Sequence, residues 1–177
     1  MSNEFIELIK TRRSCRRYRS KQVREEDLKA ILEAGTYAPS ARGLQSCFIV
    51  AVQDKDVMSR LAAMNAAILG TNNVNPFYDA PTYIFVFSPK SASNPIQDAS
   101  CILENMLLAA HALGLGSCWI NREQQMFETE EGQKLMLEWD LPVGLMGVGA
   151  LSLGYPEENA DKAKAKPRKN GYFRIIK

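Results

Sequence analysis

Five residues near the N-terminus, Arg12-Arg13-Ser14-Cys15-Arg16, place three guanidinium groups and a hydroxyl in one short stretch. Arginine forks grip phosphate oxygens bidentately and a hydroxyl adds a donor, so the chemistry this stretch suits is anchoring a phosphate. A second basic stretch, Lys162 to Lys169, lies near the other end and contains Lys166-Pro167-Arg168. The two could meet around one anion; from charge alone, two solvated surface stretches are the plainer account. The net charge of the 177 residues is only +2, so no global field points to nucleic acid or a membrane. Aromatic residues make up 8% and sit mostly in apolar runs, which argues against a stacking platform for nucleic acid.

Other chemistries are poorly supplied. His111 is the single histidine and lies inside the apolar stretch Leu107 to Leu113, where a structural role is the expectation. No G-x-S-x-G elbow and no H-E-x-x-H is present. The pair Gly114 and Gly116 fails as a dinucleotide fingerprint, because Trp119 takes the third glycine position and the glycines follow a helix and precede a strand. The four cysteines form no C-x-x-C pair, so neither a disulfide framework nor a zinc site is expected, and Cys118 reads as a buried small hydrophobe. The charges at Glu4, Glu7 and Lys10 do not suit a signal peptide, and no apolar run approaches the roughly 18 residues of a membrane span. A cytoplasmic protein is the expectation.

The elements that must position the phosphate-type stretch follow from periodicity. Residues 4–11 predict a helix with Phe5, Leu8 and Ile9 on one face, and Thr11 to Ser20 a loop. A second helix over 24–37 carries Leu28, Ile31 and Leu32 as its apolar stripe and should stop before Pro39. Cys47 to Val52 predicts a buried strand. Asp54 should cap a helix through Leu69 with Val57, Leu61, Ala62 and Ile68 inward. After a loop over 70–81, Thr82 to Ser88 predicts a second strand. The most apolar helix, 96–113, buries Ile102, Leu103, Met106, Leu107, Ala110 and Leu113 and closes on Gly114 in a left-handed conformation. Strands are expected over 117–121 and 145–153, one helix over 127–139, and a further strand in the tail over 172–176. Intermixed helices and strands, with no repeat and no dividing linker, predict one α+β or α/β domain over 1–177.

Three further segments give the arginine stretch a context. Ala38-Pro39-Ser40-Ala41-Arg42-Gly43-Leu44-Gln45 joins a helix to a strand, Gly114-Leu115-Gly116-Ser117-Cys118-Trp119-Ile120 leads through a third strand, and Gly154-Tyr155-Pro156 precedes Lys166-Pro167-Arg168. In this order and at these spacings the segments resemble the nitroreductase family of FMN enzymes, as a short-chain member, over nearly the whole chain.

The resemblance implies an α+β three-layer fold, a central mixed sheet flanked by helices, in a domain-swapped homodimer. It implies FMN as cofactor and NAD(P)H as reductant, with electrons passed to a small-molecule acceptor such as a nitroaromatic or quinone by a ping-pong cycle. Position by position, it assigns Arg12, Arg13, Ser14 and Arg16 to the FMN phosphate, ribityl chain and pyrimidine edge. It assigns Pro39, Ser40, Ala41 and Gly43 to a loop reaching the flavin from the other subunit, followed by Gln45. Asn73 matches an asparagine before the second strand, with Asn72 equally available. Cys118, Trp119, Ile120, Asn121 and Arg122 match the segment beside the reactive flavin N5, and Lys166 and Arg168 match a K-x-R that closes on the phosphate. Two departures fall in the loop: Gly43 stands where the family has asparagine, and Ser46-Cys47 where it has Pro-Trp. Both leave flavin binding implied and bear on the choice of acceptor. The rival from another class is a non-catalytic flavin-binding or redox-sensing protein on the same scaffold.

Overall fold

The computed structural model describes residues 3–71, 74–158, 160 and 165–177. Helix α1 is Glu4–Thr11, α2 Glu25–Thr36, α3 Lys55–Leu69, α4 Pro95–Ala112, α5 Glu123–Glu128 and α6 Glu130–Glu138. The strands are β1 Phe48–Val52, β2 Thr82–Pro89, β3 Gly116–Ile120 and β4 Leu145–Gly154. They form one sheet in the order β1-β2-β4-β3, in which all three neighbouring pairs run antiparallel. The sheet is therefore antiparallel where a mixed one was expected. Among the described residues the parallel pairing is one isolated bridge, Ser14 to Ser117. The tail over 172–176, expected as a further strand, is exposed and outside any strand.

Alternation along the central strand β2 divides the core. Tyr83, Phe85 and Phe87 face an aromatic layer completed by Phe77, Phe127 and Trp139, while Ile84 and Val86 face the aliphatic side of α2 and α4. Phe85 and Phe127 meet edge to face at 5.5 Å, as do Phe87 and Phe127 at 4.7 Å. Helix α4 buries Leu103, Met106, Leu107 and Ala110 beneath the sheet, whereas Leu113, at the cap, is exposed. Asp54 caps α3 by accepting from Asp56 N and Val57 N. Leu61 is buried on that helix, but Ile68, expected inward, lies at its exposed end. The face of α1 is apolar yet buries no residue, and Phe5 and Ile9 stand open.

The single helix expected over 127–139 is two. Helix α5 begins earlier, at Glu123, and Thr129 ends it and caps α6 by accepting from Gly132 N at 3.0 Å. Gly132 makes the break possible, because a Cβ there would strike the Met126 carbonyl oxygen.

Candidate functional site

The arginine stretch is fastened to the β3 edge of the sheet. Cys15 N donates to Ser117 O at 2.9 Å beside the Ser14–Ser117 bridge. The approach is close because residue 116 is glycine: a Cβ there would sit 2.7 Å from both Cβ and Sγ of Cys15. Further along, Tyr18 bridges Pro156, and its buried hydroxyl lies 2.9 Å from Ser152 Oγ and donates to Cys15 O. The backbone of this loop thus extends the sheet beyond β3 and fixes where its side chains stand. Arg12, Arg13 and Ser14 are half-buried, and Arg16 is exposed. The Arg13 guanidinium folds onto the Lys10 and Arg12 carbonyls. That of Arg16 lies 5.7 Å from the centroid of the Tyr78 ring. On the neighbouring helix, Thr11 Oγ1 pairs with His111 Nε2 at 3.0 Å, tying α1 to α4, in keeping with a structural histidine.

The strand under this loop ends in a polar knot. Cys118 and Ile120 point into the aromatic layer and Trp119 packs on the α4 side, where its Nε1 donates to Asn121 Oδ1 at 2.9 Å. Asn65, fully buried on α3, donates its amide to Asn121 O at 2.9 Å and so pins the strand end. Arg122 then takes a left-handed conformation (φ 85°), which few side chains adopt, before α5 begins. Asn65 Oδ1, Arg122 Nε and both carboxylate oxygens of Glu123 are buried and lack a hydrogen-bond partner among the described residues. Burial pushes the Glu123 carboxyl up to about 8, against the opposing pull of its own backbone N–H and of Arg122. Near neutral pH it is therefore an uncharged acid. Orphaned buried polar groups are costly and are normally answered by a ligand or water. This cluster, at the end of the strand that carries the cationic loop, fits a polar, phosphorylated cofactor.

The second half of the expected site lies elsewhere. Pro39 is exposed, and Ser40 and Ala41 are half-buried at a tight turn over Ala41–Gly43. Ala41 N donates to both carboxylate oxygens of Asp98 at 3.1 Å, and Gln45 N to Ser40 Oγ at 2.9 Å. Arg42, Gly43 and Gln45 all have positive φ, so the loop is rigidly bent. It borders a cavity of about 440 Å³ between α2, α4 and β1, lined by Leu32, Thr36, Gln45, Cys47 and Ile102 among others.

The sheet order separates the two halves. The Pro39–Gln45 loop feeds β1 at one edge, while Arg12–Arg16 lies outside β3 at the other. Four strand spacings, about 19 Å, intervene even at the same level of the sheet. One chain therefore unites Arg12, Arg13, Ser14 and Arg16 with Cys118 to Arg122, and leaves Pro39, Ser40, Ala41, Gly43 and Gln45 apart. Lys166 and Arg168 are exposed in the tail, where Arg168 folds back on Lys166 O rather than onto the arginine loop. Asn73 falls outside the described residues. Sequence reasoning missed Asn65, Tyr78 and Glu123. The first had a signal, a polar residue one turn after Leu61 on the inward stripe of a helix; the other two had none.

The α+β fold thus carries an arginine-rich loop on one edge of its sheet and a bent polar loop on the other. The Nitroreductase family model matches residues 9–155. A crystal structure of a nitroreductase with bound FMN from Bacteroides fragilis superposes with a TM-score of 0.91 at 32% identity, covering 99% of this chain and 100% of that one. An FMN-dependent nitroreductase from Clostridium difficile superposes at 0.73 with 30% identity over 94% of this chain and 92% of that one. A relative from Archaeoglobus fulgidus, which carries an NADH dehydrogenase/NAD(P)H nitroreductase name, is 32% identical over 172 residues, 94% of each chain. The chain belongs to the Nitroreductase family, and it is an oxidoreductase.

Proposed function

We propose that this protein is an FMN-dependent oxidoreductase that carries electrons from NAD(P)H to a nitroaromatic, quinone or related organic acceptor by a ping-pong cycle. The observation that carries the reading is the Arg12–Arg16 loop fastened along β3, with the unpartnered polar atoms of Asn65, Arg122 and Glu123 at the end of that strand. When bound, FMN supplies the hydride chemistry at its N5. The chain supplies position and electrostatics.

Arg12, Arg13 and Ser14 hold the phosphate, with Lys166 and Arg168 closing on it from the tail. A phosphate carries about −1.5 to −2 near neutral pH, which guanidinium groups answer well. Arg16 and the backbone of the segment Cys118-Trp119-Ile120-Asn121-Arg122 lie against the ring, and Asn73 is assigned to the same flavin site. Preorganised backbone N–H groups of that segment offset negative charge that develops on reduction. Asn65 keeps the segment in place through its bond to Asn121 O. One open pocket serves the reductant and then the acceptor, so the two substrates exclude each other.

The separation of the two loops within one chain supports a homodimer with shared sites; in the same proposal residues 1–177 form one domain that works in the cytoplasm. In that arrangement Pro39, Ser40, Ala41, Gly43 and Gln45 of a second copy complete each pocket, and the open apolar face of α1 and the tail over 172–176 lie against the partner. Gly43 and Ser46-Cys47 leave that wall of the pocket small, which suits broad acceptor selectivity. The test is NAD(P)H oxidation by the FMN-loaded protein, followed through the loss of nicotinamide absorption with a quinone and a nitroaromatic acceptor. Turnover with parallel lines in double-reciprocal plots is expected. Tightly held FMN with no NAD(P)H oxidation by any acceptor contradicts the catalytic reading.

A further inference from the structure

The loop before β2 carries a strained turn. In the turn Phe77 to Ala80, Ala80 N donates to Phe77 O at 3.3 Å, and both central residues are left-handed, Tyr78 at φ 58° and Asp79 at φ 53°. Such turns favour asparagine and glycine, and an aromatic residue there is strained. The surroundings hold it firmly. Asn75 accepts from Phe77 N at 2.9 Å through its side chain and from Tyr78 N at 2.9 Å through its carbonyl, and it donates to Asp79 Oδ1 at 2.8 Å. Phe77 is buried and stacks on Tyr83 with ring centroids 4.0 Å apart. Strain held by so many contacts is a mark of functional placement.

What the turn presents is the Tyr78 ring beneath the Arg16 guanidinium, 5.7 Å away. Among the described residues Arg16 has no carboxylate partner. Hydrogen bonding to the Tyr78 side chain is the largest influence that raises the Arg16 guanidinium above the ordinary arginine range. A long exposed side chain that makes no ion pair is otherwise free to sample many rotamers.

We propose that Tyr78 is a positioning residue: its ring braces the Arg16 guanidinium toward the flavin ring, so that the arginine is set before the cofactor arrives. The inference rests on the FMN reading above. It assigns the backbone strain at Tyr78 to preorganisation of a cation that would otherwise pay an ordering cost on binding.

The test is fluorescence titration of the full-length chain with FMN, using Tyr78→Asn, which suits the left-handed backbone and removes the ring, and Tyr78→Phe, which keeps it. Tyr78→Asn should weaken FMN binding roughly threefold to thirtyfold, the range of a cation–ring contact. Tyr78→Phe should fall between that variant and the parent. In an Arg16→Ala background Tyr78→Asn should cause no further loss, because the group it positions is gone. The midpoint potential of bound FMN should fall in Tyr78→Asn, a change that loss of packing alone does not produce. Unchanged affinity in Tyr78→Asn, or losses that add in full to those of Arg16→Ala, would overturn the role given to Tyr78 while leaving the FMN reading intact. A parent chain that binds no FMN would overturn both.

Discussion

Glu123 ties stability to pH in a way that can be worked out in advance. Its side chain is 1% exposed, neither carboxylate oxygen has a partner among the described residues, and burial raises the carboxyl from an ordinary 4.5 to about 8. Below about pH 4.5 the acid is protonated in both the folded and unfolded chain, so its full contribution to stability is present. Between 4.5 and 8 the unfolded chain gives up the proton while the folded chain keeps it, and stability falls as pH rises. Above about 8 both forms are ionised and the loss is complete. At about 1.4 kcal/mol per pH unit, the loss reaches on the order of 5 kcal/mol, and local relaxation lowers it to roughly 2–5 kcal/mol. Glu123→Gln keeps the shape and cannot ionise. Urea unfolding followed by far-ultraviolet circular dichroism should show the variant and parent close in stability near pH 5, and the variant ahead by that amount at pH 8.5. The same gap at both values would refute the reasoning, since a packing difference does not depend on pH.

Arg12→Ala should release FMN more readily, with a dissociation constant about tenfold higher or more, because a charge-assisted phosphate contact is worth about 1.5–3 kcal/mol. Turnover of the fully loaded enzyme should change far less, and equal flavin content in variant and parent would remove Arg12 from the phosphate site. Asn65→Ala should cost about 1–3 kcal/mol in urea unfolding by leaving the Asn121 carbonyl without its donor. Gly132→Ala should cost at least about 1–3 kcal/mol, because the new methyl meets backbone atoms of Met126 and Phe127 that cannot move independently.

Much of the fold was legible because period and punctuation agreed. The apolar stripe of Leu103, Met106, Leu107 and Ala110 predicts a buried helix, and Asp54 and Gly114 mark boundaries that the structure keeps. The break at Thr129 lay outside what periodicity shows, since the apolar stripe runs on across it while Thr129 caps a new helix and Gly132 passes close to the Met126 carbonyl. The outward turn of Ile68 and Leu113 follows from their places at helix ends, where the stripe runs past the core. The antiparallel sheet reflects pairings between strands distant in sequence, such as Thr82 with Leu153, which periodicity does not encode. At the site, the arginine loop and the Cys118–Arg122 segment were readable as motifs. Tyr78 and Glu123 were not, because their significance lies in what surrounds them: a guanidinium brought over one ring, and a carboxyl shut away from water.

The central claim is that two copies of this chain jointly hold FMN. Light scattering of the purified protein, with its visible spectrum recorded across the same peak, tests it most directly. A particle of twice the 19.8 kDa chain mass is expected, carrying the two visible absorption bands of oxidised flavin with one FMN per chain. A single chain that holds FMN just as tightly, or a dimer that takes up no flavin when FMN is supplied, would contradict it.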